Sequence, residues 1–434
     1  MVISCSYCYL CHVEKKTLNR KAGKKENLNK RNQKNSINKT KNSTDMRMLY
    51  TFVLSLMLSV ASTAKAQMKW MNPMDSETPN ICGRAWNGET GKTYNRLPER
   101  LKASMPEKVW NNSLLTAGLT VRFTTTSHTV KVKYVCTSTH YGSYNMSGMD
   151  HSGVDLYGKT TDGKMRWVAS YMRWKWEGDT TTISFDDITP QTDQSLEYTL
   201  YLPNYNGIKW LTVGVDKDAS FSFVAPSAER PIVAYGSSII HGASPSRPGM
   251  AITNIVEREM NIPFINLGFS GSAYMEPEVF DMLGEIDARI FVVDPIPNSK
   301  NLPDSAITSR ALAGIKRLRE KTDAPILLCE CHPIVDSVLH KNIADRYRRA
   351  DMAFHDAYLQ LKAEGVKKLY YLFSHEIGLT ENDMLEGWHP NDIGCVKYAN
   401  AYKKHLQEIL AEEANEPCVK QTTGLKKTTK QKKK

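Results

Sequence analysis

Four short segments, each following a hydrophobic run, together hold the groups that acyl transfer needs. Ser238 follows a glycine and another serine, and His389 lies directly before Pro390. A serine hydroxyl becomes a nucleophile only when a base removes its proton, and an imidazole can be that base. The two intervening segments contain Gly271 and Asn298. Either residue, together with the backbone N–H of Ser238, could donate to the oxyanion that the attack creates.

A carboxylate near the histidine could complete this set. Glu386 precedes His389 by three residues, and we expect it to hold the second ring nitrogen and fix the tautomer. Asp383, in the same segment, is the alternative.

Each of these residues also has a simpler structural explanation. Gly-Ser-Ser is typical of a turn and a helix cap, Gly271 of a turn, and Asn298 of a turn after a proline. The catalytic interpretation is favoured because all the segments follow predicted strands. Parallel α/β folds gather such loops at one edge of the sheet.

From residue 228 to residue 415, continuously apolar runs alternate with segments of helical periodicity. This alternation predicts a five-stranded, doubly wound parallel sheet of the α/β class, covered by helices on both faces. The predicted strands are 231–235, 263–267, 289–293, 325–329 and 368–373, and the predicted helices are 251–260, 276–285, 305–321, 341–364 and 392–412.

Residues 67–226 instead show short runs of period two, separated by Gly, Asn and Asp turns. This pattern predicts an antiparallel β-sandwich. The predicted strands are 119–124, 130–135, 153–157, 165–171, 180–185, 197–202 and 209–215. Aromatic residues concentrate at Trp167, Tyr171, Trp174 and Trp176. They fit either a sandwich core with one exposed face or a sugar-stacking platform.

The net charge of +11 is confined to the two ends of the chain. Residues 1–47 hold 12 Lys and Arg against 3 Asp and Glu, and residues 418–434 hold 7 Lys and no acid. The rest is mildly acidic, which argues against a nucleic-acid partner. We expect the basic tail at 416–434 to be disordered.

Residues 46–66 have the pattern of a secretory signal peptide. An apolar run from Leu49 to Val60, too short to span a bilayer, precedes Ala64-Lys65-Ala66. We expect translation to start at Met46 or Met48, which makes residues 1–45 a doubtful leader, and the mature protein to be secreted or periplasmic. No cysteine lies at the cleavage site, so no stable membrane anchor is expected.

The cysteines do not indicate a metal site. Cys5, Cys8 and Cys11, followed directly by His12, imitate a metal cluster, but they lie in the doubtful leader and lack a well-placed fourth partner downstream. Cys329 and Cys331 lie two apart on one predicted strand, a poor geometry for a disulfide. Most cysteines of the mature part are expected to be small buried residues.

Taken together, the site segments resemble the four sequence blocks of the SGNH, or GDSL, hydrolases over residues 230–412. The blocks are Gly236-Ser237-Ser238-Ile239, the Gly271 loop, the Asn298 loop and Glu386-x-x-His389-Pro390. In this chain Ser237 replaces the usual aspartate, and Asn298 occurs in Asp-x-x-Pro-Asn in place of Gly-x-Asn-Asp. Glu386 replaces the triad aspartate.

The upstream segment strengthens the resemblance. Ser152-Gly153-Val154-Asp155-Leu156-Tyr157 is similar to the Gly-x-Asp-Leu-Tyr signature of an N-terminal β-domain that accompanies one bacterial branch of the superfamily. That branch also resembles this chain in 246–250 and in the Asp-x-x-Pro-Asn loop.

The resemblance implies a serine esterase of flavodoxin-like fold that works through an acyl-enzyme. Ser238 would be the nucleophile, His389 the base and Glu386 its partner, with Ser238, Gly271 and Asn298 as oxyanion donors. No metal or organic cofactor is implied. An acylated carbohydrate, with acetyl as the acyl group, is the expected substrate, and another small ester is the close alternative. A catalytically impaired carbohydrate-binding protein on the same fold is the alternative of a different class.

Overall fold

The computed structural model describes residues 67–75, 79–171, 179–189, 196–332 and 339–415. The predicted leader, the signal peptide, the basic tail, Trp174, Trp176 and Cys418 lie outside these residues. Within the described part, no helix is long and apolar enough to cross a membrane.

Two antiparallel sheets form the predicted β-sandwich. One has the order β1-β8-β3-β6 and the other β5-β4-β7-β2-β9. The strands are β1 Met68–Met71, β2 Thr120–Thr125, β3 Val130–Cys136, β4 Val154–Lys159, β5 Met165–Tyr171, β6 Thr181–Phe185, β7 Leu196–Tyr201, β8 Ile208–Asp216 and β9 Phe221–Phe223. Apolar side chains alternate inward from both sheets into one core. The sequence did not predict β1 and β9, because three or four residues are too few to show a period.

The second architecture is the predicted parallel sheet. Its order is β11-β10-β12-β13-β14, from β10 Ile232–Gly236, β11 Phe264–Gly268, β12 Ile290–Asp294, β13 Ile326–Cys329 and β14 Leu369–Leu372. In β10, Val233 and Tyr235 face one core while Ile232 and Ala234 face the other. Burial of both faces explains why these strands are continuously apolar.

The five predicted helices occur within three residues of their expected bounds. In chain order the α-helices are α1 Glu107–Ser113, α2 Gly148–Ser152, α3 Ser238–His241, α4 Ile252–Met260, α5 Pro277–Leu283, α6 Ile296–Ser299, α7 Asp304–Arg319, α8 Lys341–Ala363, α9 Ser374–Ile377 and α10 Asp392–Asn415. The four-residue helices were not predicted, because one turn carries no periodicity. Two of them, α3 and α6, begin at the edge of the parallel sheet where the candidate residues lie.

The segment between β1 and β2 packs against the α/β part of the molecule. Trp86, Leu97 and Trp110 are buried in the same core as β10 and α5. Trp86 also donates through Nε1 to Glu285 Oε2 at 3.2 Å. The N-terminal part of the chain therefore contributes side chains to one of the two cores beside the parallel sheet, as well as forming the sandwich.

The Gly-x-Asp-Leu-Tyr segment contacts the α/β part through Asp155. This fully buried carboxylate accepts hydrogen bonds from Trp167 Nε1 at 2.8 Å and Gly249 N at 2.9 Å. Arg247 Nε lies 3.3 Å from its Oδ2 atom, and the Arg247 guanidinium lies 4.4 Å from the centre of the Trp167 ring. Because Arg247 covers one face of that ring, Trp167 takes part in the contact between the two parts, while 52% of its side chain stays exposed.

The cysteines of the described residues are unpaired and buried. They are Cys82, Cys136, Cys329, Cys331 and Cys395. Their placement confirms the expectation of small buried side chains.

Gly249 offers a test of the contact between the two parts. A Cβ there would lie 2.4 Å from Asp155 Oδ2 and 2.6 Å from the Tyr157 ring. We expect Gly249→Ala to lower the free energy of unfolding by about 1–3 kcal/mol. Urea unfolding followed by tryptophan fluorescence measures the change.

Gly88→Ala is the matched control. A Cβ at Gly88 meets nothing within 4 Å, so its effect should stay within about 0.5 kcal/mol. Equal stability of the two variants would contradict this account of the contact.

Candidate active site

Ser238 lies at the carboxyl end of β10, the second strand of the parallel sheet, where the chain turns into α3. The Ser237 side chain caps this helix, since its Oγ accepts from Ile239 N at 3.3 Å. The serine that replaces the family's aspartate therefore has a capping role. Ser238 itself is partly exposed at the first position of the helix.

The structure brings His389 to this serine across 151 residues of sequence. Ser238 Oγ lies 2.8 Å from His389 Nε2. Two backbone contacts hold the histidine loop: Leu385 N donates to His389 O at 2.9 Å, and Met384 forms a β-bridge with Pro390. The hydroxyl and the imidazole are within the range that proton transfer requires.

Glu386 contacts the other ring nitrogen. Its Oε1 atom forms a short hydrogen bond with His389 Nδ1, and its Oε2 atom accepts from Trp388 N at 2.6 Å. Because a carboxylate can only accept, Nδ1 carries the proton, and Nε2 is left to accept from Ser238. Burial raises the pKa of Glu386, but the bonds from His389 and Trp388 outweigh it and the net pKa is lowered. The carboxylate is therefore ionised when the imidazole receives a proton.

Asp383 has other partners. Its Oδ2 atom accepts from Thr380 N at 2.6 Å, Thr380 Oγ1 at 2.9 Å and Lys397 Nζ at 2.7 Å. These bonds hold the turn before the histidine and the first turns of α10. The structure thus gives the contact with the imidazole to Glu386 and a local structural position to Asp383.

The candidate oxyanion donors follow the strands on either side of β10. Gly236, at the end of β10, pairs in register with both Gly268 and Asp294, so the three strands end at the same level. The loop after β11 contains Gly271, which has a φ of +65° that favours glycine. The segment after β12 contains Asn298, within the one-turn helix α6.

The Asn298 side chain has a defined orientation. Its Oδ1 atom accepts from Ala273 N at 3.0 Å, which ties this loop to the Gly271 loop. Because the carbonyl oxygen faces Ala273, the Nδ2 atom is left to donate elsewhere. Together with the backbone N–H of Ser238 at the start of α3, this gives the edge of the sheet several donors suited to an oxyanion.

A second histidine, His241, supports the Gly271 loop and was not predicted. It lies on α3, three residues after Ser238, and is fully buried. Its Nδ1 atom accepts from Ser270 N at 3.3 Å and its Nε2 atom donates to Asn204 O at 2.9 Å. Burial, with the nearby charge of Arg96, lowers its pKa well below the usual value, so this imidazole is neutral.

Arg96 fixes the end of β11, just before this loop. It is buried, and its Nη1 atom donates to Asn266 O at 3.0 Å and to Gly268 O at 2.9 Å. Its guanidinium also lies 5.2 Å from the centre of the Phe269 ring. The sequence offered no signal for Arg96, which lies 170 residues before its partners.

The sandwich domain also reaches the site through Asn145, which was not predicted. Asn145 Nδ2 lies 3.4 Å from Glu386 Oε1 and 3.3 Å from His389 Nδ1. No spacing in the sequence connects a turn in a β-domain with a histidine loop that lies more than 200 residues later.

Two other features do not belong to this site. A cleft of about 480 Å³ lies at the junction of the two parts, with Cys82, Arg122 and Glu257 among its lining residues, but it contains neither Ser238 nor His389. Among the residues that the structure describes, no group of three or more His, Cys, Asp or Glu is placed to hold a metal ion.

Comparison with known proteins identifies the family. Residues 229–407 match the model of the GDSL-like lipase/acylhydrolase family, and residues 68–221 match that of the N-terminus of SGNH-hydrolase-type esterases. A crystal structure described as a GDSL-like lipase from Bacteroides ovatus ATCC 8483 is 31% identical, with a TM-score of 0.72 over 80% of this chain and 98% of that one. The chain therefore belongs to the GDSL-like, or SGNH, hydrolase family, which confirms the resemblance seen in the sequence.

More distant structures share the fold. The salicylyl-acyltransferase SsfX3 from a tetracycline biosynthetic pathway is 14% identical with a TM-score of 0.61, over 80% of this chain and 98% of that one. A family two carbohydrate esterase from Cellvibrio japonicus is 11% identical with a TM-score of 0.51, over the same shares. No curated protein matches the chain in sequence.

The geometry predicts that Ser238 reacts with a serine-directed fluorophosphonate. Glu386→Ala should slow the labelling by about 100-fold or more, because the imidazole loses the group that fixes its tautomer. Mass spectrometry of the labelled peptide locates the adduct, and its time course gives the rate.

Asp383→Asn is the comparison variant. Its amide oxygen can still accept from Thr380, so labelling should slow by less than about tenfold. A larger loss in Asp383→Asn than in Glu386→Ala would assign the orienting role to Asp383.

Proposed function

We propose that this protein is a secreted serine esterase that removes acyl groups, with acetyl as the first candidate, from carbohydrates or other small esters. The observation that carries the proposal is the 2.8 Å contact between Ser238 Oγ and His389 Nε2, with Glu386 on the opposite ring nitrogen. Membership of the SGNH hydrolase family supports the same reaction class.

The reaction follows from these contacts in two steps. Ser238 Oγ attacks the ester carbonyl carbon while its proton passes to His389 Nε2. The ester carbonyl oxygen becomes an oxyanion, and we assign its donors to Ser238 N–H, Gly271 N–H and Asn298 Nδ2. The bond to the alcohol then breaks, and the alcohol leaves with the proton from His389. The product of this step is an acyl-enzyme on Ser238.

Water completes the cycle through the same base. It attacks the acyl carbon and gives one proton to His389 Nε2, which returns it to Ser238 Oγ as the carboxylic acid departs. Glu386 stays ionised throughout and stabilises the imidazolium that forms twice in each turnover.

Trp388 supports a carbohydrate as the alcohol part of the ester. This residue lies directly before His389, and its side chain is 39% exposed. Its ring stacks on Tyr347, with the ring centres 6.4 Å apart, and Lys300 Nζ lies 5.8 Å from its centre. A partly exposed, well-supported indole beside the base offers a flat apolar surface on which a sugar ring can lie.

The proposed secretion rests on the sequence alone. The apolar run and the Ala64-Lys65-Ala66 site are its support, and both lie outside the described residues.

Hydrolysis of p-nitrophenyl acetate tests the reaction class. We expect Ser238→Ala and His389→Ala to lower kcat by about 10⁵-fold or more, and Glu386→Ala by about 10³–10⁴-fold. Far-UV circular dichroism should show that all three variants keep the fold. Background hydrolysis by wild type and Ser238→Ala alike would favour a carbohydrate-binding protein on a hydrolase fold.

The role of Trp388 can be measured as a ratio of substrates. We expect Trp388→Ala to lower acetate release from an acetylated polysaccharide about tenfold more than it lowers hydrolysis of p-nitrophenyl acetate. Trp210→Ala is the matched control, since Trp210 is also 39% exposed but lies on β8 of the sandwich. If the ratio of the two activities is the same in Trp388→Ala and Trp210→Ala, Trp388 does not belong to the carbohydrate-binding surface.

A further inference from the structure

We infer that Asn145, from the sandwich domain, is a positioning residue that completes the Ser238–His389–Glu386 site by holding the Glu386 carboxylate against the imidazole. This inference rests on the proposed function and goes beyond it, because it makes the N-terminal domain a part of the catalytic machinery.

Asn145 contacts the carboxylate that orients the base. Asn145 Nδ2 lies 3.4 Å from Glu386 Oε1, the same oxygen that His389 Nδ1 contacts. Both carboxylate oxygens of Glu386 therefore have partners. Oε1 contacts His389 and Asn145, and Oε2 accepts from Trp388 N. A glutamate has one more rotatable bond than the family's aspartate, so it needs more contacts to stay in one position.

The Asn145 amide has a defined orientation. Ser143 Oγ donates to Asn145 Oδ1 at 2.9 Å, which assigns the oxygen to the side away from Glu386. The opposite orientation would place the amide oxygen against a carboxylate oxygen, where neither can donate. The 3.3 Å approach of Nδ2 to His389 Nδ1 joins two donors, so it reports proximity and not a hydrogen bond.

Hydrogen bonds hold the chain around Asn145 against the α/β part. Asn145 is only 6% exposed. Ser244 Oγ donates to Asn145 O at 2.9 Å, and Ser147 Oγ donates to Ser246 O at 3.0 Å. Ser143 and Met146 close the turn with a β-bridge. These bonds leave the side chain little freedom, as an orienting group requires.

The electrostatic consequence has a definite sign. The neutral Asn145 amide donates to Glu386 without adding charge, and this bond helps to lower the pKa of Glu386 against the effect of burial. An aspartate in its place would set a second negative charge beside the imidazole and favour the protonated form of the ring. Tyr347 and Lys300 also lie near this loop, and they are unchanged in every variant below.

Kinetics of p-nitrophenyl acetate hydrolysis test the inference. We expect Asn145→Ala to lower kcat by about 10- to 100-fold with less than about threefold change in KM, because the lost bond orients the base and does not bind substrate. Asn145→Asp should also be slow, and the acid limb of its kcat/KM profile should move to higher pH by about half a unit or more. Ser143→Ala keeps the Asn145 amide but removes the hydrogen bond to its Oδ1 atom. We expect this variant to lose less kcat than Asn145→Ala.

Asn254→Ala is the matched control. Asn254 is buried like Asn145 and donates through Nδ2 to a backbone carbonyl, that of Pro248, at 2.8 Å. Its loss should reduce thermal stability while leaving kcat within about threefold of wild type. A similar loss of kcat in Asn254→Ala and Asn145→Ala would reduce Asn145 to a general structural role.

A titration separates this inference from the proposed function. In the Ser238→Ala protein, the NMR signals of the His389 ring report its pKa without any turnover. We expect Asn145→Asp to raise that pKa in the Ser238→Ala background. If wild type fails to hydrolyse esters but this shift is seen, the proposed function is wrong and the positioning contact stands. If wild type is active and the Asn145 variants match it in both kcat and His389 pKa, the inference on Asn145 is wrong and the proposed function stands.

Discussion

The alignment of strand ends in the parallel sheet is the constraint on which the site depends. Gly236 pairs in register with Gly268 on one side and Asp294 on the other, so the loops after β10, β11 and β12 begin at one level. Only this arrangement places Ser238 beside the Gly271 and Asn298 loops. The segment between α9 and α10 then brings His389 to the same edge, 2.8 Å from the serine hydroxyl. A parallel sheet gathers distant residues in this way because all of its strands end at the same side.

Buried polar groups form hydrogen bonds between the two domains. Asp155 and Arg96 are both fully or almost fully buried, and each forms hydrogen bonds within its own domain and across the domain contact. A buried charge is costly unless it is paired and hydrogen-bonded, so these contacts tolerate few alternative arrangements. Arg96 holds the strand end and the loop that lead to Gly271, while Asp155 holds the Arg247–Gly249 loop. The N-terminal domain therefore contacts the hydrolase part at two separate places, and one of them is the strand that leads to Gly271.

Two histidines on this edge have opposite environments and therefore different tasks. His241 is fully buried between Ser270 N and Asn204 O, and burial keeps it neutral, so it can only hold the loop in place. His389 faces Ser238 on one side and the ionised Glu386 on the other, so its charged form is stabilised when a proton arrives. The difference lies in the partners of each ring and not in the residue type.

The sequence by itself determined the two architectures and the chemistry-bearing residues, because apolar periodicity and local motifs are short-range signals. The continuous apolar runs gave β10 to β14, and the Gly-Ser-Ser and Glu-x-x-His-Pro segments gave Ser238, Glu386 and His389. One-turn helices such as α3 escaped detection because they are shorter than the period that reveals a helix. Only the tertiary structure decided between Glu386 and Asp383, since both lie in one loop and only the folded backbone determines which carboxylate faces the ring. It alone revealed Asn145 and Arg96, because contacts across more than a hundred residues leave no local pattern in a single chain.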